Sequence, residues 1–240
     1  MFDTAVMNDA IAHARAAYPK ESCGAVIAGA YVPFENKAAN GGAEFVIDDS
    51  AFDAALQLGE VEAVIHSHPT NSNWVDAPSL ADMQAQLAMN IPWGIIPTYS
   101  NEASGEPYFW GRGVPTAPLI GRQFRHGVHD CYTLIRDYYA VEHGIVLSNY
   151  AYQDEWWEKG QDLYRAHFAA EGFVPVVDAN DWRAGDLCLA QIRSPITNHA
   201  AIYMGDGLIL HHLNGRSSRR EPGDPWLKFM THHLRHETLA

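Results

Sequence analysis

The sequence predicts an α+β protein of two domains, and three observations carry that prediction. A chain of 240 residues is long for one core when domains run to about 150 residues. Each half mixes helix-period stretches with short apolar runs that read as strands. Between Asn101 and Gly121 the chain gathers Gly105, Gly111 and Gly113 with Pro107, Pro115 and Pro118, a turn-rich connector. The boundary falls near Val114 to Pro118, giving domains of residues 1–113 and 114–240.

Composition narrows the partners. With 47% hydrophobic and 19% charged residues the chain is globular, neither disordered nor fibrous. Sixteen basic against 29 acidic residues, net −13, repel nucleic acid and anionic lipid; basic residues cluster only locally, as at Arg216 to Arg220. No apolar run approaches the ~20 residues of a membrane span, and Met1-Phe2-Asp3-Thr4 lacks the order of a signal peptide. No nucleic-acid partner and no membrane span are expected, and the protein should start life in a cytoplasm. Cys23, Cys131 and Cys188 form no C-x-x-C pair and read as free thiols.

In the first half, Asp3 can cap a helix whose apolar stripe is Met7, Ala10, Ile11, Ala14 and Tyr18, stopped by Pro19. Ala25 to Ala30 reads as a buried strand, and Ala43 to Asp48 as another. Ser50 with Asp53 fits an N-cap signature for a short helix through Leu58. Val61 to Ile65 is a strand closed by His66-Ser67-His68-Pro69. After the loop Thr70 to Pro78, a helix begins at Ser79 with Leu80, Met83 and Leu87 apolar. Trp93 to Ile96 and Tyr108 to Trp110 are further strands.

Strand alternation projects His66 and His68 from one face, about 7 Å apart along it. Ser79-x-x-Asp82 is the signature of a capping box, which alone accounts for both residues. It does not account for the histidines. His-x-His at a strand end, followed by a helix-borne carboxylate, suits a two-His, one-carboxylate zinc site, with Glu21 as the candidate general base. Glu21, His66-Ser67-His68-Pro69 and Ser79-x-x-Asp82 resemble the JAMM motif of the Mov34/MPN metallopeptidase family in its prokaryotic form. The resemblance implies an MPN-type mixed α/β domain. In it His66, His68 and Asp82 would hold Zn2+, Glu21 would activate water, and Ser79 would donate a hydrogen bond to the tetrahedral intermediate. Ten residues separate His68 from Ser79, a longer loop than is usual in that family.

The second half turns on His126-Gly127-Val128-His129-Asp130-Cys131-Tyr132. Leu134, Ile135, Tyr138 and Tyr139 recur at helical spacing, which puts Cys131 in the first turn of an amphipathic helix. A helix N-terminus favours a thiolate, so the Cys131 pKa is expected below about 8.5. Asp154 to Glu171 reads as another helix, and Ala184 to Ala190 as a turn into a strand. Asn198 to Met204 is the next strand, followed by Gly205-Asp206-Gly207, a hairpin signal, and Leu208 to His212 returns. A loop centred on Gly205 would set His199 opposite His211, with side chains ~5 Å apart. Cys131, His199 and His211 can then supply nucleophile, base and orienting group.

Asp130-Cys131 at a helix start, Gly185-Asp186-Leu187, His199-x-x-Ile202-Tyr203-x-Gly205 and Ile209-x-His211 resemble the NlpC/P60 cysteine peptidases. That resemblance implies a papain-like α+β domain with Cys131 as nucleophile, His199 as base and His211 as orienting residue. It also implies an acyl-enzyme and, as substrate, peptidoglycan stem peptides. Tyr132 and Thr133 stand where many members carry Ser and Gly, and His212, a rival for the third role, should point to the other face. Cys188 reads as core and Cys23 as packing near the first site. His232-His233-Leu234-Arg235-His236 reads as a solvated terminal segment.

The order of the two halves, with Gly127 to Tyr139 opening the second, resembles the tail assembly protein K family of lambda-like siphophages. This implies tail-tip proteins as partners, residence in the host cytoplasm during assembly and then at the virion tail tip. One half would process a tail protein and the other open peptidoglycan. The competing expectation is a structural tail-tip component whose enzyme-like domains serve as docking modules.

Overall fold

Asp3 accepts the Val6 N–H at 2.9 Å and caps α1 (Thr4–Ala17), as the sequence predicts. The computed structural model describes residues 2–70 and 76–240, and much of the expected Thr70 to Pro78 loop lies outside them. Contacts divide the chain into two compact units, Met1–Pro115 and Thr116–Ala240.

In the first unit the apolar run after Gly24 is two strands rather than one: β1 (Cys23–Ile27) and β2 (Ala30–Phe34). Ala28 and Gly29 both take positive φ, 49° and 73°, the geometry of a tight two-residue hairpin turn. Alternation along β1 sends Val26 to a core with Val6, Ala10, Ala14 and Ile65, under α1. It sends Cys23, Ala25 and Ile27 to the opposite core with Phe34 and Ala55. Ala43 to Asp48 forms no strand: Asn36 holds the segment instead, accepting from Val46 N–H and donating to the Glu44 carbonyl. α2 (Asp49–Leu56) is capped by Asp48 and not by Ser50, because the Asp48 carboxylate reaches the Ala51 N–H at 3.2 Å. β3 (Val61–Pro69) carries the histidines within the strand. α3 (Leu80–Met89) crosses to β4 (Trp93–Thr98), which lies parallel to β3, and β5 (Tyr108–Trp110) completes a sheet of order β2-β1-β3-β4-β5.

In the second unit Asp130 caps α4 (Cys131–Tyr138) in a reciprocal capping box with Thr133. Asp154 to Glu171 is not one helix. A 3-10 turn at Trp156–Lys159 ends at Gly160 with φ 75°, and Asp162 then caps the short α5 (Leu163–His167). The antiparallel sheet is built from β6 (Phe173–Pro175), β7 (Leu187–Ala190), β8 (His199–Gly205), β9 (Leu208–His211), β10 (Arg219–Pro222) and β11 (Met230–His236). Their order is β10-β9-β8-β7-β11-β6. One face, with Leu189, Ala200, Ile202 and Leu210, packs on Leu134, Ile135 and Tyr138 of α4. The other face holds Cys188, Ala201 and Ile209 with Trp226.

The terminal histidine run is not solvated. It is β11, paired with β7 and β6, and its Arg235 forms a buried two-point ion pair with Asp186 at 2.7 and 2.8 Å. His233 Nε2 also meets Asp186, at 2.7 Å, and its ring stacks on Trp182. Asp186 thus gathers tertiary contacts that its local sequence does not announce.

Candidate active sites

The first site is assembled at one end of the first sheet. Cys23 pairs with His66 across β1 and β3, so Glu21, two residues earlier, comes beside the far end of β3. Ser67, between the two histidines, points the other way and accepts the Ser22 N–H at 2.8 Å, which pins the backbone next to Glu21. His66 and His68 converge, Nε2 to Nε2 3.1 Å. Asp82 uses its two oxygens differently. Oδ2 closes the capping box, accepting from Ser79 N–H at 2.8 Å and Ser79 Oγ at 2.7 Å, while Oδ1 lies 3.4 Å from His66 Nε2. Cap and ligand geometry therefore coexist in one residue. Glu21 Oε1 stands 4.0 Å from His68 Nε2. All five expected residues, Glu21, His66, His68, Ser79 and Asp82, come together here.

Electrostatics follow from the crowding. Burial, with the carboxylates of Asp82, Asp76 and Glu44, raises Glu21 to about 7 against the opposing pull of His68. Burial lowers His66. Burial also acts to lower His68, but hydrogen bonds to Asp76 and Asp82 reverse the sign and lift it to about 10. One donor atom from each of His66, His68 and Asp82 lies within 4.8 Å of the others. Two imidazole nitrogens facing each other beside a carboxylate suit a zinc ion, with a fourth position left for water. His68 Nδ1 bonds Asp76 Oδ1 at 2.8 Å, and Tyr108 bonds the other Asp76 oxygen at 2.9 Å, an outer shell that turns Nε2 inward. The residues present thus fit the metal. Sequence reasoning missed Asp76 and Ser67. Asp76 belongs to a loop with no periodicity, and Ser67 reads locally as a spacer between two histidines.

The second site lies at the N-terminus of α4. Cys131 is half-buried in the wall of a cavity of about 260 Å³ that His199 also lines. Its sulfur bonds the Tyr164 hydroxyl at 3.2 Å, with the Ala200 backbone N–H also directed to it. The expected low thiol pKa is corrected. Burial and the neighbouring Asp130 carboxylate push Cys131 up to about 12, outweighing the hydrogen bonds from Tyr164, Ala200 and Tyr132. Burial, with His211 and His212 nearby, lowers His199 to about 3. The resting pair is a neutral thiol beside a neutral imidazole.

His199 Nε2 lies 3.2 Å from His211 Nδ1. The register differs from the expected one: His211 pairs with Ala201, not His199. Asp206 and Gly207, with φ 50° and 72°, make the two-residue turn, and the ladder shifts between Tyr203 and Gly205. The offset is two residues, so His199 and His211 keep one face and meet diagonally. His212 is fully buried against Phe124 and does not join them.

The tail tip assembly protein K of Escherichia phage lambda is 40% identical over 183 residues, covering 75% of this chain and 83% of that protein. The chain belongs to the tail tip assembly protein K family. Another member, from Escherichia phage N15, is 33% identical over 227 residues, with 91% of this chain and 89% of that one covered. Within this K-family chain, residues 3–110 match the prokaryotic homologs of the JAB domain and residues 105–235 match the NlpC/P60 family. Among solved structures, the NlpC/P60 domain of peptidoglycan hydrolase SagA aligns with 49% of this chain and 89% of its own, at 17% identity and a TM-score of 0.34. The two family matches establish the order of the domains, and the two compact units with their mixed helices and sheets are of the expected α+β class. In this K-family member the residues that sequence reasoning missed at the Cys131 site are Tyr164, Glu221 and Trp226. Glu221 Oε1 accepts from His211 Nε2 and from Trp226 Nε1, both at 2.9 Å. Arg216 to Arg220 stand out in the sequence as charge, and the carboxylate beside them carries no local signal.

Proposed function

We propose that this tail tip assembly protein carries two peptidase sites: a cysteine peptidase that cuts peptidoglycan stem peptides, and a zinc metallopeptidase that processes a tail protein. Both act in tail-tip assembly inside the host, and the cysteine site also acts at the virion tail tip. One observation carries the reading of the second half. A helix-N-terminal thiol that accepts a backbone N–H from Ala200 borders one cavity with His199, and His199 is in turn hydrogen-bonded to His211.

The chemistry follows from neutral partners. The Cys131 proton passes to His199 as sulfur attacks the peptide carbonyl, and His199 returns it to the leaving amine. The acyl group on Cys131 is then released by water. Backbone N–H groups in the first turn of α4 are placed to stabilise the developing oxyanion. Tyr132, Tyr152 and Trp156 line the cavity and give it aromatic walls, with Asp130 and Asp154 as carboxylates. The stem-peptide substrate rests on the NlpC/P60 resemblance.

In the first half, His66, His68 and Asp82 would hold zinc and Glu21 would serve as proton acceptor. When bound, zinc supplies Lewis-acid polarisation of a peptide carbonyl and makes water more acidic. Asp76 keeps His68 oriented, and Ser79, whose hydroxyl now bonds Asp82, must turn to reach a substrate.

The test is hydrolysis of purified stem peptides by the full chain, beside Cys131→Ala and His66→Ala variants, with zinc counted in each. Fragment release that disappears in Cys131→Ala and survives in His66→Ala supports the assignment. A folded wild type that releases nothing would favour a structural tail-tip component with docking modules.

A further inference from the structure

We propose that Glu221 is a positioning residue of the Cys131 site, whose carboxylate sets the tautomer of His211 and, through it, that of His199. The inference rests on reading that site as a cysteine peptidase, but its geometry stands apart from any substrate.

Glu221 lies on β10, where Arg219 pairs with His211 and Glu221 with Ile209 on β9. It therefore shares a face with His211 and reaches it diagonally. That face is opposite the one packed on α4, so the contacts run along a single face across β8, β9 and β10, from His199 at the cavity to Glu221 away from it.

A carboxylate only accepts hydrogen bonds. The nitrogen of His211 facing Glu221 Oε1 at 2.9 Å must carry a hydrogen, so neutral His211 is the Nε2–H form and its Nδ1 is bare. Bare Nδ1 can only accept, so His199 donates from Nε2 across 3.2 Å. Neutral His199 is then left with an unprotonated Nδ1, the one nitrogen not engaged by His211. This is the lone pair a thiol proton needs.

Two further contacts hold the carboxylate in place. Trp226 Nε1 donates to the same oxygen at 2.9 Å while its indole meets the His211 ring edge-on, centroids 4.7 Å apart. Arg219 pairs with Oε2 at 2.8 Å. When the Cys131 proton moves from Sγ to His199 Nδ1, the positive charge formed on His199 is met through His211 by the Glu221 charge. No proton needs to reach Glu221.

The test uses the full chain labelled with 15N in its imidazoles, as wild type and as Glu221→Gln. Nitrogen shifts read the tautomers, and iodoacetamide at neutral pH, mapped to Cys131 and checked against Cys131→Ala, reads the thiol. In wild type both His199 and His211 should be Nε2–H. An amide can meet either tautomer of His211, so Glu221→Gln should give a mixed population and slow Cys131 alkylation by about tenfold or more. A wild-type His211 protonated on Nδ1 would overturn the proposal, as would a Glu221→Gln chain with unchanged tautomers and unchanged alkylation. If Glu221→Gln folds poorly, the wild-type spectrum alone decides. A wild type that cleaves no stem peptide but shows the tautomer pattern and the drop in alkylation would remove the peptidase reading and leave the role of Glu221 intact.

Discussion

At the scale of single residues, environment rather than sequence position decides ionisation. Cys131 sits where a helix N-terminus favours thiolate, yet burial and Asp130 hold the thiol up at about 12. A raised thiol pKa leaves little thiolate at neutral pH, and the fraction grows as pH rises. Alkylation of Cys131 should therefore keep accelerating through pH ~9, measured as iodoacetamide rate against pH; a plateau already reached below neutrality would contradict this. Asp82 shows how one side chain can satisfy two readings. Asp82→Ala should lose the half of the capping box in which its carboxylate accepts the Ser79 N–H, while Ser79 still caps the residue-82 N–H, at a cost of about 0.5–1 kcal/mol, and also abolish zinc retention. A thermal melt and a metal count on the same sample check both.

At the scale of elements, turns and ion pairs fix what periodicity leaves open. Gly207 has φ 72° and open space where a Cβ would go, so a side chain there meets backbone strain and no clash. Gly207→Val should destabilise the hairpin by about 1–2 kcal/mol, read as a lower unfolding midpoint, and blunt any activity that needs His199 and His211 in register. Arg235 is the other lever. Replacing it with Leu removes the guanidinium and leaves the buried Asp186 with only His233 and the Arg183 N–H, and chemical denaturation should show a loss of about 2–4 kcal/mol.

These elements also mark how far the sequence could be read. Caps at Asp3 and Ser79, the helix at Cys131 and the strand at Tyr108 were legible because local chemistry encodes them. The Ala28–Gly29 hairpin hid inside an apolar run, and Gly160 split a segment whose spacing suggests one continuous helix. The role of β11 depended on Asp186, some fifty residues earlier in the chain, and no local pattern reports a partner that distant.

At the scale of the whole molecule, two compact units each carry a separate group of chemically competent residues. Each group draws on segments far apart in sequence: Glu21 with His66, His68 and Asp82, and Cys131 with His199, His211 and Glu221. The motif residues themselves were visible in the sequence because their types and spacing are constrained. Their supports, Asp76 and Glu221, were not, since any carboxylate in reach would have served and only the fold says which one is. A net charge of −13 leaves the choice between enzyme and docking module open. That choice falls to the thiol. The deciding measurement is the intact mass of the full chain mixed with a peptidoglycan stem peptide and quenched in acid within the first turnovers. The wild-type chain should gain the mass of the acyl fragment, mapped to Cys131 and absent from Cys131→Ala. A folded wild type that never gains that mass, while its Cys131 still reacts with iodoacetamide, would contradict the peptidase reading.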